Sequence, residues 1–247
     1  MARGARMRRV RLDKLMSDDG YTRSEARAMI AHGRVTVDGA PATSPGAIVD
    51  ADACRVEADG RPIRQSRHLH LMLNKPAGVL TATSDGRDPT VVDLLPDRLR
   101  RVGLGPVGRL DKDATGLILL TTDGQLAHRL ISPRWEKVKV YWAGVASPPG
   151  PAAFEAFARG VELSDFTARP AELRLLADDP PRVEVRVTEG KYHQVKRMLA
   201  AVGCPVTALH RVEVAGIRLP GDLPPGGHRE LTAGEIAHLY AETDMEG

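Results

Sequence analysis

Gly108-Arg109-Leu110-Asp111-Lys112-Asp113-Ala114-Thr115-Gly116-Leu117 runs straight into Ile118-Leu119-Leu120. Two glycines, a charged cluster and a threonine precede an apolar run. This reads as a polar loop feeding a buried strand, a place where a reactive side chain has a rigid base beneath it. Asp-x-x-Thr before glycine also occurs in ordinary turns, where Asp accepts from nearby backbone N–H groups. Asp111, Asp113 and Asp123 all lie close enough to be reactive, so this segment alone leaves both a turn and a site open.

The surrounding 247 residues give room for two or three domains and a sizeable core. Charged residues at 27% and hydrophobic ones at 42% are ordinary for a globular protein. No run of about 18 apolar residues is present, so no membrane span is expected. The Arg-rich start lacks the apolar stretch of a secretory signal. Cys54 and Cys204, far apart and without histidines at ligand spacing, suggest reduced, buried thiols in a cytoplasmic protein. His68 and His70 read as a satisfied surface pair rather than metal ligands. The charge is uneven. Residues 1–34 carry nine basic and four acidic residues, a net of +5, while the other 213 sum to −2. A local basic field is what a polyanion-binding module needs.

Residues 1–9 read as a basic tail and residues 10–60 as a small self-contained unit. Thr22-Arg23-Ser24-Glu25 is a capping box, and Ala26, Met29 and Ile30 follow at helical spacing until Gly33 ends the helix. Val35-Thr36-Val37 is a short strand and Asp38-Gly39 a turn. The unit closes near Asp59-Gly60. Residues 61–67 read as a polar linker and residues 68–247 as one further domain. In that domain His68 to Asn74 reads as a strand ending in a turn at Lys75-Pro76-Ala77-Gly78. Val138, Val140 and Trp142 alternate with Lys139 and Tyr141, which places Tyr141 opposite the core face, and Val183, Val185 and Val187 alternate likewise. Helices are expected from a capping box at Thr122-Asp123-Gly124-Gln125 to Leu130, from Ala152 to Arg159, across Val195, Met198, Leu199 and Val202, and after a cap at Thr232-Ala233-Gly234-Glu235. The fold class is α+β, a mixed or antiparallel sheet with packed helices.

Two resemblances sharpen this reading. Arg11-Leu12-Asp13-Lys14 and Gly33-Arg34-Val35-Thr36-Val37-Asp38-Gly39 resemble the S4 RNA-binding module. The resemblance implies that Arg11, Lys14, Arg23, Arg27 and Arg34 contact RNA, with basic side chains tracking phosphates. The Asp111 segment resembles the G-R-L-D-x-x-T-x-G-L motif of pseudouridine synthases of the Rsu/Rlu type. Three other segments match that family in its order: Lys75-Pro76-Ala77-Gly78-Val79 with Asp88-Pro89-Thr90-Val91, Lys139-Val140-Tyr141, and Glu189-Gly190-Lys191-Tyr192-His193-Gln194-Val195-Lys196-Arg197-Met198. Leu209-His210-Arg211 and Leu231-Thr232 continue it, so the resemblance covers about residues 8 to 242.

The resemblance implies isomerisation of uridine to pseudouridine: the N1–C1′ bond breaks, the base rotates, and C5 joins C1′. Asp111 is the implied catalytic carboxylate. Tyr141 is the implied stacking platform for a uracil flipped out of its helix. Lys196 is the implied cation that keeps a carboxylate ionised in a dry pocket, where many relatives carry Arg. Arg109 and Leu209 are implied substrate contacts, Arg109 either on phosphate or in the gap left by the flipped base. Attack on C1′, elimination to a glycal, or addition to uracil C6 all remain open. No cofactor is expected, since the reaction needs neither redox nor energy input, and no metal site is expected.

The fourth motif is most similar to the small-subunit branch, which modifies 16S rRNA; a 23S rRNA synthase of the same fold is the alternative. A non-catalytic S4-type ribosome assembly factor would be favoured if Asp111 or Tyr141 were missing, and both are present. The expected partner is ribosomal RNA or a partly assembled subunit, and the expected state is a monomer.

Overall fold

The computed structural model describes residues 7–245; Arg3 and Arg6 of the basic tail lie outside the described residues. The chain divides into two compact units. One contains the residues up to Leu69 together with Leu95–Leu104, the other His70–Leu94 and the residues from Gly105 onward.

In the first unit, helices Leu12–Asp18 and Arg23–Ala31 pack their apolar faces on short strands. The second helix starts where Thr22 Oγ1 accepts from Glu25 N (3.1 Å) and the Glu25 carboxylate accepts from Thr22 N (2.6 Å). This reciprocal pair satisfies two N–H groups that the helix itself leaves unbonded. Leu12, Leu15, Met16, Ala26, Ile30 and Val35 are buried together. Val35–Val37 pairs antiparallel with Ala40–Pro41 and with Val56–Ala58.

Three sequence expectations are revised in this unit. Asp59-Gly60 is not its end. Both residues have positive φ (51° and 72°), the backbone of a tight hairpin turn. Arg61–Pro62 pairs back onto Val56–Ala58 and Ile63 joins the core, so the expected linker opens as strand. Arg9, placed in a tail, belongs to strand Arg9–Arg11, which pairs with Ile48–Asp50. Leu95–Leu104, placed in the following domain, groups here. The Arg98 guanidinium lies over the Tyr21 ring at 4.4 Å, donates to the Asp19 carbonyl at 2.6 Å, and pairs with the Asp19 carboxylate.

The second unit is built on a mixed sheet, nine-stranded among the described residues. Its main path runs Glu172–Asp178, Pro181–Val187, Lys139–Val145, Val206–Val214, Thr115–Thr121, His70–Lys75 and His228–Glu230. One pairing, Val206–Val214 with Thr115–Thr121, is parallel; the other pairings in this sheet are antiparallel. One core cluster joins Phe157, Val183, Val185, Met198 and Leu199, and a second joins Met72, Leu117, Leu119, Leu126 and Leu239.

The strand Lys139–Val145 corrects the expected inside and outside. Tyr141, Ala143 and Val145 are buried, whereas Trp142 is 40% exposed and donates from Nε1 to Glu184. Val140 is buried as well, and the register slips between Val140 and Tyr141. Apolar residues on both faces plus an irregularity defeat a simple alternation rule. Helix Gly124–Ile131 is capped by Asp123, which accepts from Gln125 N and Leu126 N, rather than by a Thr122 box. Helix Ala233–Glu242 does open on the expected box at Thr232 and Glu235. His70 is buried, bonded to Thr121 through Nδ1 at 2.9 Å, and edge-on to Tyr240; it is not half of a surface pair. Cys204 is buried as expected and Cys54 only half-buried, both as free thiols.

Gly116 joins the Asp111 loop to its strand. Its φ is +101°, and an added Cβ would collide with the Arg211 backbone across the parallel pair. Gly116→Ala is expected to lower unfolding stability by roughly 3 kcal/mol. Urea denaturation followed by circular dichroism checks this; a loss under about 0.5 kcal/mol would show that the two strands part easily.

Candidate active site

Strand His70–Lys75 is buried along its whole length and ends in a lysine. Lys75 is 0% exposed. Its ammonium donates to the carbonyls of Pro76 (3.0 Å), Lys112 (3.1 Å) and Ala114 (2.7 Å). Gly78 N also donates to Lys112 O at 2.8 Å. The Thr81 hydroxyl donates to Leu110 O (2.9 Å) and accepts from Leu110 N (3.1 Å). The backbone from Leu110 to Ala114 is therefore tied down on both sides of Asp111. Burial pushes the Lys75 ammonium down to about 8, against the pull of Asp113 and Asp111.

A second loop approaches from helix Gln194–Ala201. Glu189 is buried and accepts from Arg169 N (2.8 Å) and Gln194 Nε2 (2.7 Å), while Gln194 Oε1 accepts from Lys191 N (2.9 Å). These bonds close the loop on itself. They leave His193 in the left-handed region with φ +48°. Val195, Met198 and Leu199 are buried against the core, and Lys196 points at the first loop.

The two loops meet at Asp111. Lys196 Nζ lies 2.9 Å from Asp111 Oδ2, and His193 Nε2 lies 3.4 Å from Oδ1. Lys196 also reaches Asp113, at 2.7 and 2.9 Å. It thus bridges two carboxylates instead of serving one. Desolvation opposes the charge on Lys196, but hydrogen bonds and attraction from Asp113 and Asp111 prevail and raise its pKa. The Lys196 hydrogen bond in turn lowers the Asp113 carboxyl. A cleft of about 70 Å³ opens over Asp111, with Arg109, Tyr141, Lys191, His193 and Leu209 among its lining residues. Tyr141 and Leu209 are each 8% exposed and belong to the core cluster. They form an apolar wall beside the carboxylate, while Arg109 is exposed at the rim.

Farther back, Lys139 is half-buried and donates to Lys137 O at 2.8 Å. Burial and the neighbouring Arg211 push it down to about 8, and Glu189 pulls it back. Arg211 donates from Nε to Leu117 O at 2.8 Å and keeps a buried Nη2 without a hydrogen-bond partner.

The basic residues expected on RNA belong to the first unit. Arg11, Lys14, Arg23 and Arg27 line one cavity of about 370 Å³ together with Asp13 and Ser17. Arg11 forks onto Asp13 at 3.0 and 2.7 Å, and Lys14 pairs with Asp18. Arg23 and Arg27 make no ion pair with a described residue. Arg34 is absent from this cavity and is held by Asp59 at 2.7 and 2.5 Å, because the Asp59-Gly60 hairpin turns that carboxylate toward it.

Sequence reasoning treated Lys75 as part of a turn and overlooked His193, Glu189 and Gln194 as individual contributors. The available signal for Lys75 was a lone charge ending an otherwise apolar strand. A buried ammonium needs several acceptors, and here loop carbonyls supply them.

The depressed Lys75 pKa has a definite sign. Between about 8 and 10.5 the unfolded chain keeps a proton that the native chain has released, so native stability rises with pH across that window. Below about 8 the full cost of burying the charge persists. Relative to Lys75→Met, the wild type should gain about 2 kcal/mol from pH 7 to pH 9.5. Parallel urea titrations of both proteins measure the difference. A difference that does not change with pH would mean the ammonium is effectively solvated.

Comparison with known proteins agrees with this geometry. Residues 69–201 match the family described as RNA pseudouridylate synthase, and residues 10–53 match the S4 domain. The chain is 42% identical over 235 residues to ribosomal small subunit pseudouridine synthase A of Escherichia coli, covering 93% of this chain and 100% of that protein. It is 41% identical over 237 residues to an uncharacterized RNA pseudouridine synthase of Bacillus subtilis, covering 94% and 99%. A crystal structure of a pseudouridylate synthase matches with a TM-score of 0.66 at 35% identity, covering 93% of this chain and 99% of that one. With the family match spanning more than half of the residues and relatives above 40% identity spanning nearly all of them, this chain belongs to the RNA pseudouridine synthase family and carries an S4 domain ahead of its catalytic domain.

Proposed function

We propose that this protein isomerises one uridine of the small-subunit ribosomal RNA to pseudouridine, with Asp111 as the catalytic carboxylate. The observation that carries the reading is the placement of Asp111 at a cleft between the apolar wall of Tyr141 and Leu209 and the cation Lys196. The small-subunit substrate is supported by the similarity to the Escherichia coli enzyme over the full length of that protein.

The reaction moves atoms only within the substrate. N1–C1′ breaks, C5–C1′ forms, and the C5 proton is lost as N1 gains one. A uracil that leaves its stack needs a flat apolar surface to receive it, which Tyr141 provides. Asp111 attacks C1′, takes a proton from the ribose or adds to uracil C6, and each role needs the ionised form. Lys196 sets a positive charge 2.9 Å from Asp111 Oδ2, and its second contact to Asp113 keeps it seated when Asp111 reacts. Arg109, exposed at the rim, contacts phosphate or fills the gap left by the flipped base. In the S4 unit, Arg23 and Arg27 have charge to spare for phosphates, whereas Arg34 is already paired.

Asp111→Asn should cut isomerisation by at least about a thousandfold while RNA binding persists, since the amide keeps the shape but has neither nucleophilic nor basic character. Pseudouridine mapping on rRNA transcripts, alongside filter binding, checks both halves. Activity within about tenfold of wild type would move the assignment to Asp113.

Double replacement of Arg23 and Arg27 by Ala should weaken RNA binding and flatten its salt dependence, by just under one unit of slope per lost phosphate contact. Arg34→Ala should leave the slope nearly unchanged. Salt titrations of the two variants distinguish the faces; the opposite ranking would place RNA on the Arg34 side.

A further inference from the structure

We infer that Tyr192 is a stacking platform for the nucleobase that neighbours the flipped uridine, an inference that rests on the RNA-modifying reading of the cleft. Tyr192 is 75% exposed. Single exposed apolar side chains are ordinary, but the setting of this one is not. Its ring stacks on His193 with centroids 3.9 Å apart and planes 16° from parallel. His193 in turn lies 3.4 Å from the Asp111 carboxylate. One face of the tyrosine is thus taken by a residue that touches the reactive group, and the other remains open to water.

The ring is also presented rigidly. The flanking residues Lys191 and His193 both line the cleft, so Tyr192 stands at its rim. The loop is tied through Lys191 N to Gln194 and through Gln194 to the buried Glu189. One positive charge adjoins it: the Lys191 ammonium sits over Phe166 at 3.6 Å, while the Arg197 guanidinium, also over Phe166 at 5.3 Å, is held by Asp165. A flat, half-open ring with a lysine next to it in the chain suits a base and its phosphate.

Base flipping supplies the need. When the uridine leaves its stack to reach Asp111, the adjacent base loses its partner on one side. An aromatic ring at the cleft rim replaces that partner and does so for any base, because every base has a π-face. Tyr192 therefore contributes to capture of the opened RNA rather than to bond making.

The test compares wild type, Tyr192→Ala and Tyr192→Phe on an rRNA transcript in which the nucleotide on either side of the target is intact or abasic. Tyr192→Ala should raise KM about tenfold with a much smaller change in kcat, and Tyr192→Phe should behave as wild type. An abasic residue on one side should raise the wild-type KM similarly and leave Tyr192→Ala no worse. A KM for Tyr192→Ala within about twofold of wild type, a Phe variant as impaired as Ala, or independent, multiplying effects of the abasic site and the Ala change would each overturn the proposal. If the wild-type protein forms no pseudouridine, the functional reading fails; fluorescence-anisotropy titration of the same transcripts then decides the Tyr192 question by the same pattern in Kd.

Discussion

A lysine ammonium sealed from water has few ways to be stable, and Lys75 uses the one that shapes this enzyme. It donates to the carbonyls of Pro76, Lys112 and Ala114. Two of those carbonyls belong to the loop that carries Asp111, so the demand of a buried charge for acceptors becomes an anchor for that loop. Thr81 holds Leu110 from the other side. Gly116 allows the following strand to run close beside Val206–Val214. The carboxylate is thereby presented from a short loop with little freedom of its own, which favours a productive geometry before substrate arrives.

The facing loop is organised by side-chain hydrogen bonds instead of a buried ammonium. Glu189 and Gln194 close it, and the helix that follows carries Lys196 to Asp111 and Asp113. A lysine shared between two carboxylates is tightly held, yet its flexible stem permits a shift of balance between them. Asp113 is largely exposed and Asp111 mostly covered. Water screens the attraction less on the covered side, while the shorter contacts, at 2.7 and 2.9 Å, go to the exposed Asp113.

The first unit solves a different problem with similar parts. Its basic residues are numerous, but several are spent internally: Arg11 on Asp13, Lys14 on Asp18, Arg34 on Asp59, Arg98 on Asp19. Charge available to a polyanion is what remains after such pairing, not the tally of arginines. Arg23 and Arg27, on the exposed side of a helix whose other side carries Ala26, Met29 and Ile30, keep theirs.

What the sequence determined by itself was local or carried by ordered motifs. The boxes at Thr22 and Thr232 were legible because both partners lie within four residues. The alternating valines of 183–187 were legible because one face is core. The segments around Asp111 and Lys196 were recognisable by resemblance, though not that one lysine would serve two carboxylates. The remainder depended on residues distant along the chain. Asp59-Gly60 has the composition of an ending and of a hairpin alike, and only the pairing of Arg61–Pro62 with Val56–Ala58 decides between them. Tyr141 and Trp142 are both plausible inward residues, and the register slip with the neighbouring strand turns Tyr141 to the core. Lys75 finds two of its three acceptors nearly forty residues away. A side chain's burial and partners depend on what the rest of the chain brings to it, and that is decided in tertiary structure.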